Sequence, residues 1–148
     1  MTLKNVMIID DSSEDRYIIS RLLKKTNLAN QALEMSSGQE ALTYLENAIT
    51  QNPTAQPMPD IIFLDINMPI ISGFDFLEKF HTLWKKNNCD KHTEKLAGIQ
   101  FYMLTSSINK SDKLRAESLR VKGFIGKPPA LTELATIMQT STSDAQHS

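Results

Sequence analysis

Internal disulfides are excluded at once, because the chain of 148 residues carries a single cysteine, Cys89. An excess of charge of one sign is also missing. Sixteen Lys and Arg against seventeen Asp and Glu leave a net charge of -1, so the chain as a whole has no electrostatic pull toward nucleic acid or an anionic membrane. No apolar run approaches the roughly 20 residues a membrane-spanning helix needs. The start, Met1 to Asn5, leads only into the short run Val6 to Ile9, less than a signal peptide requires. The expectation is a cytoplasmic protein with no direct nucleic-acid or membrane partner. What the chain does have is ordinary globular usage, 41% hydrophobic and 22% charged, at a length sufficient for one core.

Short apolar runs alternate with helical patterns. Val6–Ile9, Ile61–Leu64 and Phe101–Leu104 are continuous runs that end at Asp10, Asp65 and Thr105, and Phe124-Ile125 is followed by Gly126 and Lys127. Ala32–Met35 is a weaker fifth strand. Continuous runs of this kind suit strands buried on both faces, as in a parallel sheet. The intervening helices start at Ser12-Ser13, with Ile18, Ile19, Leu22 and Leu23 as the inward stripe, and at Ser37, with Glu40 at capping-box spacing. A third starts at Gly73 and carries Phe76, Phe80 and Trp84 as packing. A fourth spans Ser111 to Arg120, anchored mainly by Leu114 and Leu119, and a fifth runs from Leu131 to Met138 after Pro128-Pro129. Five β-α units with right-handed crossovers imply a parallel sheet with helices on both faces, a doubly wound (βα)5 three-layer sandwich of the α/β class. One domain is expected over 1–139, with 140–148 as a polar, disordered tail. Two stretches, 50–59 and 85–98, read as long loops.

The polar residues collect at one kind of place. Asp10, Asp11, Asp65, Thr105 and Lys127 all lie just past the C-terminal end of a strand, the edge of an open α/β sheet where ligands bind. Three converging carboxylates do not ionise together without a cation. A hard divalent ion that takes oxygen ligands, with Mg²⁺ as the natural candidate, suits them. Together with Lys127 and Thr105 such a site holds a phosphoryl group, and one of the carboxylates can act as nucleophile to give an aspartyl phosphate.

These residues resemble the CheY-like receiver domains of two-component response regulators. The motifs are Asp10-Asp11, Ile62-Phe63-Leu64-Asp65-Ile66-Asn67-Met68-Pro69, Gly73, Met103-Leu104-Thr105-Ser106 and Phe124-Ile125-Gly126-Lys127-Pro128. Each is weak alone, but the set in this order is specific, and the likeness runs from about Leu3 to Met138. The resemblance implies the flavodoxin-like sheet order 2-1-3-4-5. It implies that Asp65 accepts a phosphoryl group from a phosphohistidine donor, a histidine kinase or histidine phosphotransfer protein. Asp11 and Asp65 would ligate Mg²⁺ by side chain, Asn67 by its carbonyl, and Asp10 would support the metal through water. Thr105 would bond a phosphoryl oxygen and act as the switch, with Phe124 as the aromatic whose rotamer follows it. Lys127, ahead of a cis Lys-Pro bond, would pair with the phosphate. A downstream protein would read the α4-β5-α5 face. Ile71-Ser72-Gly73 departs from the family's frequent Met-Asp-Gly, without consequence for the chemistry. The expected protein is a stand-alone receiver of phosphorelay signal transduction. It is not an enzyme beyond its own phosphorylation and dephosphorylation.

The alternative is a phosphohydrolase of the haloacid dehalogenase type, which also uses a strand-terminal Asp, Mg²⁺, a hydroxyl and a Lys. Those enzymes need a second acid two positions after the nucleophile, where this chain has Asn67, which cannot move a proton in that role. Several residues have plainer readings. Phe124 also reads as core, and Cys89, Asp90 and His92 offer too few ligands for a metal. His81 and His147 read as solvated, and Lys85, Lys86, Lys91 and Lys95 as a solvated basic stretch.

Overall fold

β1 (Val6–Ile9), β2 (Leu33–Met35), β3 (Ile61–Asp65), β4 (Gln100–Thr105) and β5 (Gly123–Gly126) form one sheet, all parallel, in the order β2-β1-β3-β4-β5. Between and after them run α1 (Ser13–Thr26), α2 (Gly38–Thr50), α3 (Gly73–Lys86), α4 (Lys110–Ser118) and α5 (Leu131–His147). The computed structural model describes residues 3–50, 57–87, 98–107 and 109–147.

The uninterrupted apolar runs exist because both faces of the sheet are covered, and successive side chains point to opposite faces. Met7, Ile9, Ile62, Leu64, Phe101 and Met103 point to one face, where they pack with Leu42 and Leu45 of α2 and with Phe76, Leu77 and Phe80 of α3. Val6, Ile8, Ile61, Phe63, Leu104 and Ile125 point to the other, against Ile19 and Leu23 of α1 and Leu134 and Met138 of α5. Phe80 and Phe101 meet edge to face with centroids 5.1 Å apart, and Phe76 stacks beside Phe80. The α3 aromatic stripe is therefore packing, as the sequence predicts.

Helix starts follow local chemistry. Ser12 caps α1 by accepting the Asp15 N–H at 3.2 Å. Ser72 caps α3 in a reciprocal box with Asp75. The box expected at Ser37 is half formed: Ser37 Oγ accepts the Glu40 N–H at 3.1 Å, but the Glu40 carboxylate bonds Ser36 N and Oγ instead of returning to Ser37.

Several expectations are corrected. Ile18 lies on the outer side of α1 with Tyr17, both exposed, because only one narrow stripe of that helix faces the sheet. Leu114 is 63% exposed, and Ala116 is the buried residue of α4. Lys85 and Lys86 belong to α3 and not to a loop. His81 is half-buried, its Nε2 is 3.2 Å from the Leu119 carbonyl oxygen, and its ring lies beside Phe80 and Trp84. The last helix does not stop at Met138. No glycine or proline follows Leu131 to end it, and its backbone continues to His147 through most of the expected tail. Cys89, Asp90, His92, Lys91 and Lys95 lie outside the described residues, as do positions 51–56 of the first long loop.

Candidate functional site

The register brings the strand ends level. Ile9 pairs with Leu64, Asp65 with Leu104, and Thr105 with Gly126. Asp10 therefore leaves β1 beside Asp65, while Thr105 and Lys127 follow one step along at the same edge. Asp10 is held from several sides. Its N–H donates to the Met35 carbonyl at 3.1 Å, its Oδ1 accepts the Ser12 N–H at 2.9 Å, and its carbonyl accepts from Arg16 at 2.6 Å. Arg16 also pairs with Glu34 at 3.2 Å, which ties the start of α1 to β2. Behind Asp65, the Gly73 N–H donates to the Ile66 carbonyl at 2.8 Å. A Cβ at Gly73 would collide with the Asp65 carbonyl oxygen, so only glycine lets α3 start this close to β3.

Four charges meet in the crevice. Lys127 Nζ lies 2.8 Å from Asp10 Oδ2 and 3.1 Å from Asp65 Oδ1, and donates a hydrogen bond to Asp15 Oδ2 at 3.2 Å. Asp10 is fully buried, Asp65 nearly so with its side chain 6% exposed, and Lys127 is half-buried with 16%. Burial and the Asp10 charge push the Asp65 carboxyl up to about 6, while the Lys127 charge and hydrogen bond pull it down. Burial alone would lower the Lys127 ammonium. Its bond to Asp10 and the charges of Asp65 and Asp10 raise it instead, so the lysine stays charged.

Asp10, Asp11 and Asp65 place carboxylate oxygens within 4.8 Å of one another, with Asp11 open to solvent. Asp10 Oδ2 is buried against the Lys127 ammonium, 2.8 Å away. Three carboxylates with oxygens this close are an all-oxygen donor set that fits a hard divalent cation. Asn67 is exposed at the rim, its N–H 3.4 Å from Asp65 Oδ1. Thr105 is buried, but its hydroxyl is engaged within its own loop: it donates to the Ser107 carbonyl oxygen and accepts the Ser107 N–H at 3.1 Å. Phe124 is half-buried against the α2-α3 side of the core. The Lys127-Pro128 peptide is cis, as the resemblance implies. Asp15 and Arg16 went unrecognised in the sequence. Both look like ordinary first-turn residues, and the only hint at Asp15 is the Ser-x-x-Asp spacing that it shares with Ser72 and Asp75.

The sequence profile described as the response regulator receiver domain matches residues 6–139. The chain belongs to the response regulator receiver family. Among its relatives, the sensor histidine kinase CheAY of Helicobacter pylori is 31% identical over 136 residues, 92% of this chain but 15% of that protein. The response regulator Rcp1 of Synechocystis is 25% identical over 136 residues, 92% of this chain and 84% of Rcp1. The solved structure of a two-component response regulator from Legionella pneumophila superposes with a TM-score of 0.71 at 26% identity, covering 93% of this chain and 98% of that one. The Mn²⁺-bound form of Rcp1 superposes with a TM-score of 0.65 at 22% identity, covering 93% of this chain and 90% of that one. The receiver fold, its flavodoxin-like strand order and a phosphoacceptor role in two-component signalling follow for this chain. The dehalogenase-type phosphohydrolase is set aside, since the family match covers nearly the whole chain. Receivers bind a divalent metal, and the acidic cluster here has the donors for one. No helix among the described residues is long and apolar enough to cross a membrane.

Proposed function

We propose that Asp65 is the phosphoacceptor of a cytoplasmic signalling switch. The observation that carries this reading is one nearly buried carboxylate flanked by two others and by a lysine 3.1 Å away. An oxygen of Asp65 attacks the phosphorus of a phosphohistidine on a histidine kinase or phosphotransfer protein. The new oxygen–phosphorus bond forms as the phosphorus–nitrogen bond breaks, and its electron pair returns to the imidazole nitrogen. Lys127 sits where the charge on the phosphoryl oxygens develops. Asp11 and Asp65 by side chain, Asn67 by its carbonyl, and Asp10 as support are the residues that would hold Mg²⁺. When bound, the ion supplies the positive charge that offsets three carboxylates and an arriving phosphoryl group. The chain's own catalysis is confined to gaining and losing this group.

The readout lies beside Thr105. Its hydroxyl must leave Ser107 to reach a phosphoryl oxygen, and Phe124, half-buried next to β4, then turns into the space it vacates. The face that responds is α4, β5 and α5, where a downstream protein docks. α4 has one buried residue, Ala116, and an element held by so few buried contacts shifts for little energy. Incubation with acetyl phosphate and Mg²⁺ should add one phosphoryl group, labile to hydroxylamine, as seen by intact-protein mass. Asp65→Asn should abolish the addition, and uptake by that variant at the wild-type rate would refute the assignment.

A further inference from the structure

α1 and α3 open with the same spacing, Ser12-x-x-Asp15 and Ser72-x-x-Asp75, yet the two aspartates do different things. Asp75 Oδ2 returns to the Ser72 N–H at 3.2 Å and closes the capping box. In α1 that route is closed, because the Ser12 N–H is already taken by Asp10 Oδ1 at 2.9 Å. The Asp15 carboxylate instead accepts a hydrogen bond from Lys127 Nζ at 3.2 Å, across 112 residues of sequence.

We propose that Asp15 is a positioning residue that holds the Lys127 ammonium in the unphosphorylated protein and must release it before Lys127 can serve a phosphoryl group on Asp65. This rests on the reading of Asp65 as the acceptor. An ammonium has three N–H groups, and three carboxylate oxygens lie within 3.2 Å of this one. Its near neighbours are all carboxylates, so a phosphoryl oxygen has to take the place of one of them. Asp10 is fully buried, and its Oδ2 faces the Lys127 ammonium at 2.8 Å, so letting it go would strand a buried charge. Asp65 is the reacting group. Asp15 has a side chain 36% exposed, and water can replace the ammonium there at small cost. It is therefore the partner that gives way. It also sits in the first turn of α1, 3.2 Å from Lys127 Nζ in this resting arrangement, in place to recapture Lys127 when the phosphoryl group leaves. Asp15 thus opposes loading and favours the resting state.

The test measures phosphoryl loading from acetyl phosphate with Mg²⁺, as a function of donor concentration, for the full chain and three variants. Asp15→Asn keeps the shape and removes the charge, Asp15→Glu keeps the charge, and Glu14→Gln removes a charge from the neighbouring exposed position. The expected result for Asp15→Asn is a maximal loading rate raised roughly two- to fivefold, the factor set by one partly exposed ion pair. Half-saturation by the donor should be unchanged, and beryllofluoride should bind tighter by a similar factor. Asp15→Glu should return toward the wild-type rate, and Glu14→Gln should leave it unchanged. A wild-type or slower rate in Asp15→Asn overturns the proposal while leaving Asp65 as the acceptor. So does an equal acceleration in Glu14→Gln, which would reduce the effect to net charge at the helix start. If the wild-type chain takes up no phosphate at all, the reading of Asp65 falls and this proposal with it.

Discussion

Replacing Asp65, the proposed phosphoacceptor, should stabilise the metal-free protein at neutral pH. Asp65 is buried beside Asp10, and its carboxyl is pushed from 3.8 to about 6 by burial first and by the Asp10 charge second. The folded state therefore favours the protonated carboxyl. Its contribution to stability is whole below pH 3.8 and is lost as pH rises through about 6. Each tenfold change in proton affinity is worth about 1.4 kcal/mol, which caps the cost of ionising Asp65 in the fold at about 3 kcal/mol. Asp65→Asn removes that cost but leaves Lys127 with one anionic partner fewer, so the net gain should be about 1–2 kcal/mol at pH 8. Urea unfolding in the presence of a chelator, at pH 8 and at pH 4, reads this directly. The midpoint of Asp65→Asn should lie above wild type at pH 8, and the two should converge at pH 4. Saturating Mg²⁺ should close or reverse the gap at pH 8, since only a protein that binds the ion well gains from it. A variant less stable than wild type at pH 8 without metal would refute the reasoning. It would mean that Lys127 more than compensates the burial and repulsion of the carboxylates.

Two further outcomes follow from the same crevice. Gly73→Ala should cost about 1–3 kcal/mol in urea or thermal unfolding, because the new methyl would press on the Asp65 carbonyl and lie 3.1 Å from Ile66 Cα; unchanged stability would show that α3 can back away freely. Asp11→Ala removes the solvent-exposed member of the acidic set, and should weaken Mn²⁺ or Mg²⁺ binding by calorimetry at least about tenfold, with apo stability unchanged or raised. Equal affinity in both proteins would exclude Asp11 as a ligand.

Much of the site was legible in the chain because its residues sit at the ends of apolar runs. A strand buried on both faces leaves no choice of phase, so Val6–Ile9 and Ile61–Leu64 mark their own positions, and the first polar residue after each must emerge at the sheet edge. Helices carry no such certainty. Ile18 fits the periodicity of α1 as well as Ile19 does, and Leu114 fits α4 better than Ala116. Only the direction from which the sheet meets each helix exposes the first of each pair. His81 reads as solvated for a similar reason: the Leu119 carbonyl that faces it is 38 residues away in sequence.

The sequence by itself determined the number and kind of elements, the doubly wound architecture and the edge at which Asp10, Asp65, Thr105 and Lys127 appear. All of these depend on local patterns of apolar and polar residues and on right-handed crossovers. The strand order came from the likeness of its motifs to the receiver family, and the pairing of β1 with both β2 and β3 bears it out. The tertiary structure alone decided what each polar group does once there. The Ser12 N–H could have gone to Asp15, as Ser72 goes to Asp75. Instead Asp10 Oδ1 takes that N–H across two residues at the end of β1, and Asp15 meets Lys127. The Thr105 hydroxyl likewise turns to Ser107 and not to the carboxylates. The competing groups around Ser12 lie close together in sequence, but the ammonium that Asp15 meets comes from 112 residues along the chain, and no local window contains it.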